Sequence, residues 1–236
     1  RRLSEAIAGQ MHQLTGIERQ RILFNFSHTH SGPVESVTDG ALVTYGLDAQ
    51  QQAAVNRYTQ VIESKLVALI VEAGKTLRPA RLAHGRSQAT FASNRRKSIN
   101  PDGPVDQTVP VLRVSDEDGR LLAIVFGYAC HTATMTGDFH QYNGDYAGFA
   151  QAAIETAHPG VTAMYLAGCG ADINPEPRGT LELACQHGNS LAAAVDSAMA
   201  AQMHPIDGPL TVAFDRVDVP FVDPPSREEL EKRIGQ

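Results

Sequence analysis

Two β-rich runs, Val109 to Val114 and Leu121 to Tyr128, flank the turn Asp116-Glu117-Asp118-Gly119, and this pairing constrains the fold more than any other feature of the chain. Strands joined by so short a turn must be antiparallel, whereas strands separated by helices are joined in parallel. The rest of the chain supplies such helices. From Ala49 to Leu77 the apolar residues Val55, Tyr58, Ile62, Leu66, Leu69 and Ile70 recur at helical spacing behind the cap Asp48, which predicts the longest helix. Leu3 to Leu14, Asp145 (as an N-cap) to Ala157, and Leu181 to Met203 are also helix-like. Further strands are expected at Arg21 to Phe26, Arg81 to Ala92, Val161 to Ala167 and Leu210 to Val219, with a polar loop from Ser93 to Gln107. The pattern predicts an α/β fold, a layered domain with a mixed β-sheet flanked by long helices.

A chain of 236 residues buries a sizeable core, and its 42% apolar share with moderate charge is that of a globular protein. No apolar run is long enough for a transmembrane segment. The net charge of -6 and scattered arginines exclude the basic stripe that nucleic acid requires. Cys130, Cys169 and Cys185 leave an odd thiol and make no disulfide framework; Cys130 and Cys169 read as small buried residues. The chain opens on Arg1-Arg2-Leu3 inside a helix-like stretch, without an initiator Met, and ends in another from Ser226, so residues 1–236 read as a single domain truncated at both ends.

Three polar clusters follow expected strands: His28-Thr29-His30, His131, and Asp172-Ile173-Asn174-Pro175. Loops beyond strand ends converge on one edge of an α/β sheet, where ligand sites are built. His28 and His30, two apart on extended backbone, face the same way. With His131 they would supply imidazoles to a zinc ion, one of them free for a proton or a substrate. By spacing alone, a histidine at a strand end is more often a hydrogen-bonded structural residue than a ligand. His140 is an alternative ligand, whereas His12, His84, His158, His187 and His204 have no constellation around them. Asp172 reads as a cap of its turn, and Arg95, beside Arg96 and Lys97, as part of a solvated basic loop.

Ser27-His28-Thr29-His30-Ser31-Gly32-Pro33 resembles the histidine-rich signature of the neutral/alkaline non-lysosomal ceramidase family, and later blocks resemble that family in the same order. These are Asn94-Arg95, the strand Phe126 to His131, and the turn Gly168 to Pro175. The resemblance implies zinc bound by His28 and His131, His30 on the substrate side or in proton transfer, and Arg95 as a clamp on a substrate oxygen. Its implied substrate is a small-molecule or lipid-like amide, and its implied compartment is secreted or periplasmic. Two departures stand out. The family's remaining ligands, a glutamate and a tyrosine, have no matching segment, and Asn174 occupies the place of a serine nucleophile. An amide cannot attack a carbonyl as serine does, so the expectation is a zinc-dependent hydrolase of an amide-type bond using metal-activated water, with Asn174 donating to the substrate or oxyanion. The alternatives are a non-catalytic ligand-binding homologue and an amidohydrolase-like barrel with a strand-end His-x-His.

Overall fold

The structure, a computed structural model, describes residues 2–35, 46–220 and 223–234. Its main sheet has five strands in the order β5-β4-β3-β1-β7: β1 (Arg81–Gln88), β3 (Thr108–Ser115), β4 (Leu121–Tyr128), β5 (Thr162–Ala167) and β7 (His204–Ile206). The hairpin expected from the sequence is β3–β4, paired antiparallel, and its turn is closed by Gly119 at φ 84° with the Asp116 carboxylate accepting from the Arg120 N–H. β4 and β5 pair in parallel because α3 (Asp145–Ala157) lies between them as a crossover. β1 pairs antiparallel with β3 and β7, so the sheet is mixed and a barrel of eight parallel strands does not form. A second sheet of two short strands, β2 (Ala92–Asn94) and β6 (Ile173–Pro175), stands beside it.

Alternation within the strands decides what the sheet buries. Val109, Val111, Ile124, Phe126, Tyr128, Ala163 and Tyr165 point to one face, where α3 and α4 (Leu181–Ala200) cover them with Tyr146, Ala150, Ile154, Leu191, Val195 and Ala198. The helices approach closely because Gly188 has no side chain: a Cβ there would lie 2.4 Å from Cβ of Phe149 and 2.9 Å from the Tyr146 carbonyl oxygen. Burying such a cluster is the dominant favourable contribution to a domain of this kind. On the opposite face Pro110, Leu112, Val125 and Leu166 line a shallow depression of about 500 Å³.

A smaller core joins α1 (Arg2–Thr15) to α2 (Ala49–Lys75), where Leu3, Ile7, Met11 and Val67 are buried with Ile17, Ile22 and Phe24 packed around them. α2 is the longest helix, and Asp48 caps it as expected, with Gln51 completing a reciprocal capping box. Among the described residues no helix is long and apolar enough to cross a membrane.

Four expectations are corrected. Residues 22–26 are extended but join no ladder; instead the Asn25 side chain accepts from the Ala167 N–H at 2.9 Å and donates to the Ala167 oxygen at 3.1 Å, so one amide does the work of a neighbouring strand. Leu210 to Val219 is not a strand but an exposed segment, tied down where Arg216 pairs with Glu5 at 2.6 Å and Arg19 lies over the Phe214 ring. The strand after α4 is the short β7, which makes α4 end at Ala200 rather than Met203. Finally, Asp145 is not the N-cap of α3; that position is Gly144, and Asp145 is buried at φ 53°.

Candidate metal centre

His131 follows the end of β4, and its position is set from several sides. The Tyr146 hydroxyl donates to the Cys130 carbonyl at 2.7 Å, and the Tyr165 hydroxyl lies 3.1 Å from the Tyr128 carbonyl, so two buried phenols hold the backbone just ahead of the histidine. Burial pushes both hydroxyls well above the ordinary tyrosine range, which keeps them protonated donors. The His131 N–H donates to the Ile173 oxygen at 3.0 Å, and its Nδ1 lies 2.6 Å from the Gly170 oxygen. That carbonyl is an acceptor only, so it fixes the tautomer with the proton on Nδ1 and leaves Nε2 with a free lone pair. Gly170 must be glycine for this approach: a Cβ there would sit 2.6 Å from the Cys130 nitrogen.

His28 and His30 arrive on a loop stitched to the one behind His131. The His30 N–H donates to the Thr132 oxygen, the Thr132 hydroxyl donates to the Ser27 oxygen, Thr29 Oγ1 donates to the Asn143 oxygen, and the Asn143 N–H donates to the Ser31 oxygen. The same-face placement expected for a flat strand is replaced by a kink, since His28 is left-handed at φ 60°, a conformation that is strained for a residue with a Cβ. Asp145 secures the second loop. Its carboxylate accepts from the N–H groups of Thr134 at 2.8 Å, Met135 at 3.1 Å and Tyr146 at 2.7 Å.

The outcome is a triad. Ring centroids of His28, His30 and His131 lie 4.8 to 5.6 Å apart, and one nitrogen from each falls within 4.8 Å of the others. With metal–nitrogen bonds of about 2.0–2.1 Å, imidazoles sharing one ion at tetrahedral angles have centroids about 5 Å apart, so the three rings fit a zinc-sized ion. Electrostatics favour the neutral form at His28 and His30. Partial burial, His131 and the Arg95 guanidinium hold His28 below the usual histidine range; burial, His28, His131 and Arg95 do the same for His30, against a smaller opposing pull from Asp145. Neutral imidazole is the form that ligates.

His28 and His131 line a cleft of about 710 Å³ together with Phe26, Arg95, Cys169 and Asp172. Arg95 is thus brought to the same cleft as His28 and His131. Its backbone N–H donates to the Asp172 oxygen at 2.8 Å, and the Asp172 carboxylate accepts from the Asn94 amide at 3.3 Å, so Asp172 ties the two motif loops together instead of capping its own turn. Asn174 lies in β6, buried, one residue past the carbonyl that holds the His131 N–H. Cys130 is buried as expected, and burial pushes its thiol up to about 12; Cys169 is exposed, contrary to expectation. His140 is exposed and outside the triad. Sequence reasoning did not anticipate the Gly170 and Asp145 contacts, because each depends on a loop from elsewhere in the chain.

No protein-family model matches the chain. Neutral ceramidase B of Dictyostelium discoideum is 29% identical over 140 residues, covering 55% of this chain and 19% of that protein. The crystal structure of neutral ceramidase from Pseudomonas aeruginosa superposes with a TM-score of 0.72 at 18% identity, covering 88% of this chain and 36% of that one. A ceramidase complexed with C2 superposes at 0.71 and 19% identity, covering 88% of this chain and 35% of that one. The chain therefore spans about a fifth of the curated relative's length and about a third of the solved chains. The chain is similar to neutral ceramidases, in sequence to one of them over 140 residues and in fold over 88% of its length.

Proposed function

We propose that this chain carries the metal-binding portion of a zinc-dependent hydrolase of amide-type bonds, with a small-molecule or lipid-like amide as substrate. The convergence of His28, His30 and His131 on one point carries the reading. His28 and His131 are the ligands: the Gly170 carbonyl presents the Nε2 lone pair of His131, and the strained backbone of His28 aims its ring at the same spot. When bound, zinc supplies a Lewis acid for the substrate carbonyl and lowers the pKa of water. His30, on the rim of the triad and held neutral, accepts the proton released by the attacking water and returns it to the leaving amine. Arg95 holds a substrate oxygen through paired hydrogen bonds. Asn174, whose amide is no nucleophile, donates a hydrogen bond from behind the His131 turn.

Elemental analysis of the purified protein, with hydrolysis of a short-chain N-acyl amide as readout, tests the assignment. Zinc bound at the triad and turnover are expected, with one equivalent of zinc and the turnover lost in His28→Ala and in His131→Ala. A double variant that keeps the parent's zinc stoichiometry and its turnover defeats it. The asparagine at 174 favours one second reading, a ligand-binding homologue without catalysis. In that case Asn174→Ser binds substrate and zinc as the parent does, and neither form turns over.

A further inference from the structure

His84 on β1 and His204 on β7 are direct cross-strand partners. Their rings are 5.4 Å apart between centroids and tilted by 35°, and both side chains are exposed. Read along the chain, the two residues are 120 positions apart and nothing joins them. The sheet creates the pair, because β7 docks antiparallel on β1 with Leu82 opposite Ile206 and Ala83 opposite Pro205.

We propose that His84 and His204 form a second transition-metal site, a cross-strand bis-imidazole chelate for a late first-row divalent ion such as zinc, nickel or copper. The centroid spacing carries the proposal: two imidazoles bound at about 2.0–2.1 Å and at tetrahedral angle lie about 5 Å apart, so both rings reach one ion by side-chain rotation alone. The backbone holds them there, since both sit inside a ladder and not on loops, and preorganisation is what makes a two-ligand site bind. Imidazole selects these metals over magnesium or calcium, which take oxygen ligands. Water completes the coordination. The pair stands on β1 and the edge strand β7, with β3 between β1 and β4, the strand that leads into His131. It also has a structural effect of its own. β7 is three residues long and exposed throughout, and a shared ion ties it to β1.

Zinc titration of the whole chain, read by equilibrium dialysis and by amide hydrogen exchange of β7, tests the proposal. Wild type is expected to bind an ion that survives in His28→Ala/His131→Ala and disappears in His84→Ala/His204→Ala. Either single change, His84→Ala or His204→Ala, is expected to weaken this binding at least tenfold. Zinc is expected to slow β7 exchange in the triad variant and not in the His84/His204 variant. Unchanged stoichiometry and affinity in His84→Ala/His204→Ala, or zinc-independent exchange of β7, overturns the proposal. The triad is scored separately by the other double variant, so failure of one site does not resemble failure of the other.

Discussion

Nδ1 of His131 lies 2.6 Å from the carbonyl oxygen of Gly170, although 39 residues separate them in the chain. The contact joins the loop after β4 to the loop after β5, so the orientation of the His131 ring depends on a backbone carbonyl from a distant part of the chain. A Cβ at 170 would collide with the backbone of Cys130 at 2.6 to 2.8 Å. Gly170→Ala is therefore expected to displace the turn, cost about 1–3 kcal/mol of stability, and weaken zinc binding about 10- to 100-fold. Urea unfolding and a competitive zinc titration check the two parts.

His28 carries strain that a glycine would not. At φ 60° a residue with a Cβ costs about 1–2 kcal/mol, and glycine adopts the same geometry freely. His28→Gly is expected to be at least as stable as the parent without metal, while losing tight zinc binding. Thermal unfolding of both proteins in chelator, followed by zinc titration, separates stability from binding.

Asp145 is buried and satisfies three backbone N–H groups that have no water to turn to. Asp145→Ala leaves them unpaired and is expected to cost about 3 kcal/mol or more, with the loop of residues 132–135 loosened. Denaturant unfolding measures the cost, and hydrogen exchange at Thr134 and Met135 reports the loop.

Gly188→Ala places a methyl group 2.4 Å from Cβ of Phe149, between two helices that share the main core. Backbone atoms of Tyr146 and Ala150 close the other sides, so no side-chain rotation relieves the clash. The expected loss is about 2–3 kcal/mol with the histidine triad otherwise intact, measured as a lowered denaturation midpoint.

The depressed pKa values of His28 and His30 fix the sign of a pH effect. Above about 6.5 both rings are neutral in the folded and unfolded chain, and nothing is lost. As pH falls through 6.5 the unfolded chain takes up protons first, so metal-free stability declines until the folded pKa values are passed. Denaturation midpoints between pH 7.5 and 5 are expected to fall, and to fall less in His28→Gln/His30→Gln.

The long helices were legible because their apolar spacing and caps are local: Asp48 announces α2, and the Asp116–Gly119 turn announces the hairpin. Tertiary partners decided the rest. Residues 22–26 have strand-like composition, yet Asn25 satisfies the edge of β5 with its side chain, and no ladder is needed. Leu210 to Val219 is equally apolar but finds no open sheet edge, whereas His204–Ile206, with a histidine and a proline among its three residues, takes one. Of the site, His28, His30 and His131 were visible as motif residues. The acceptor that orients His131 and the carboxylate that anchors its loop were not, because a backbone carbonyl leaves no mark in a sequence and Asp145 next to a helix start looks like a cap.

The lone amide of Asn25 also governs a distance. Three residues lie between it and the first ring of the triad if His28 is counted, and the far end of that short tether is nailed to Ala167 by two bonds. Removing one residue from 26–27 would drag the histidine back by a full chain step and away from the His131 ring. The spacing Asn25-x-x-His28 thus acts as a ruler for how far the first imidazole reaches.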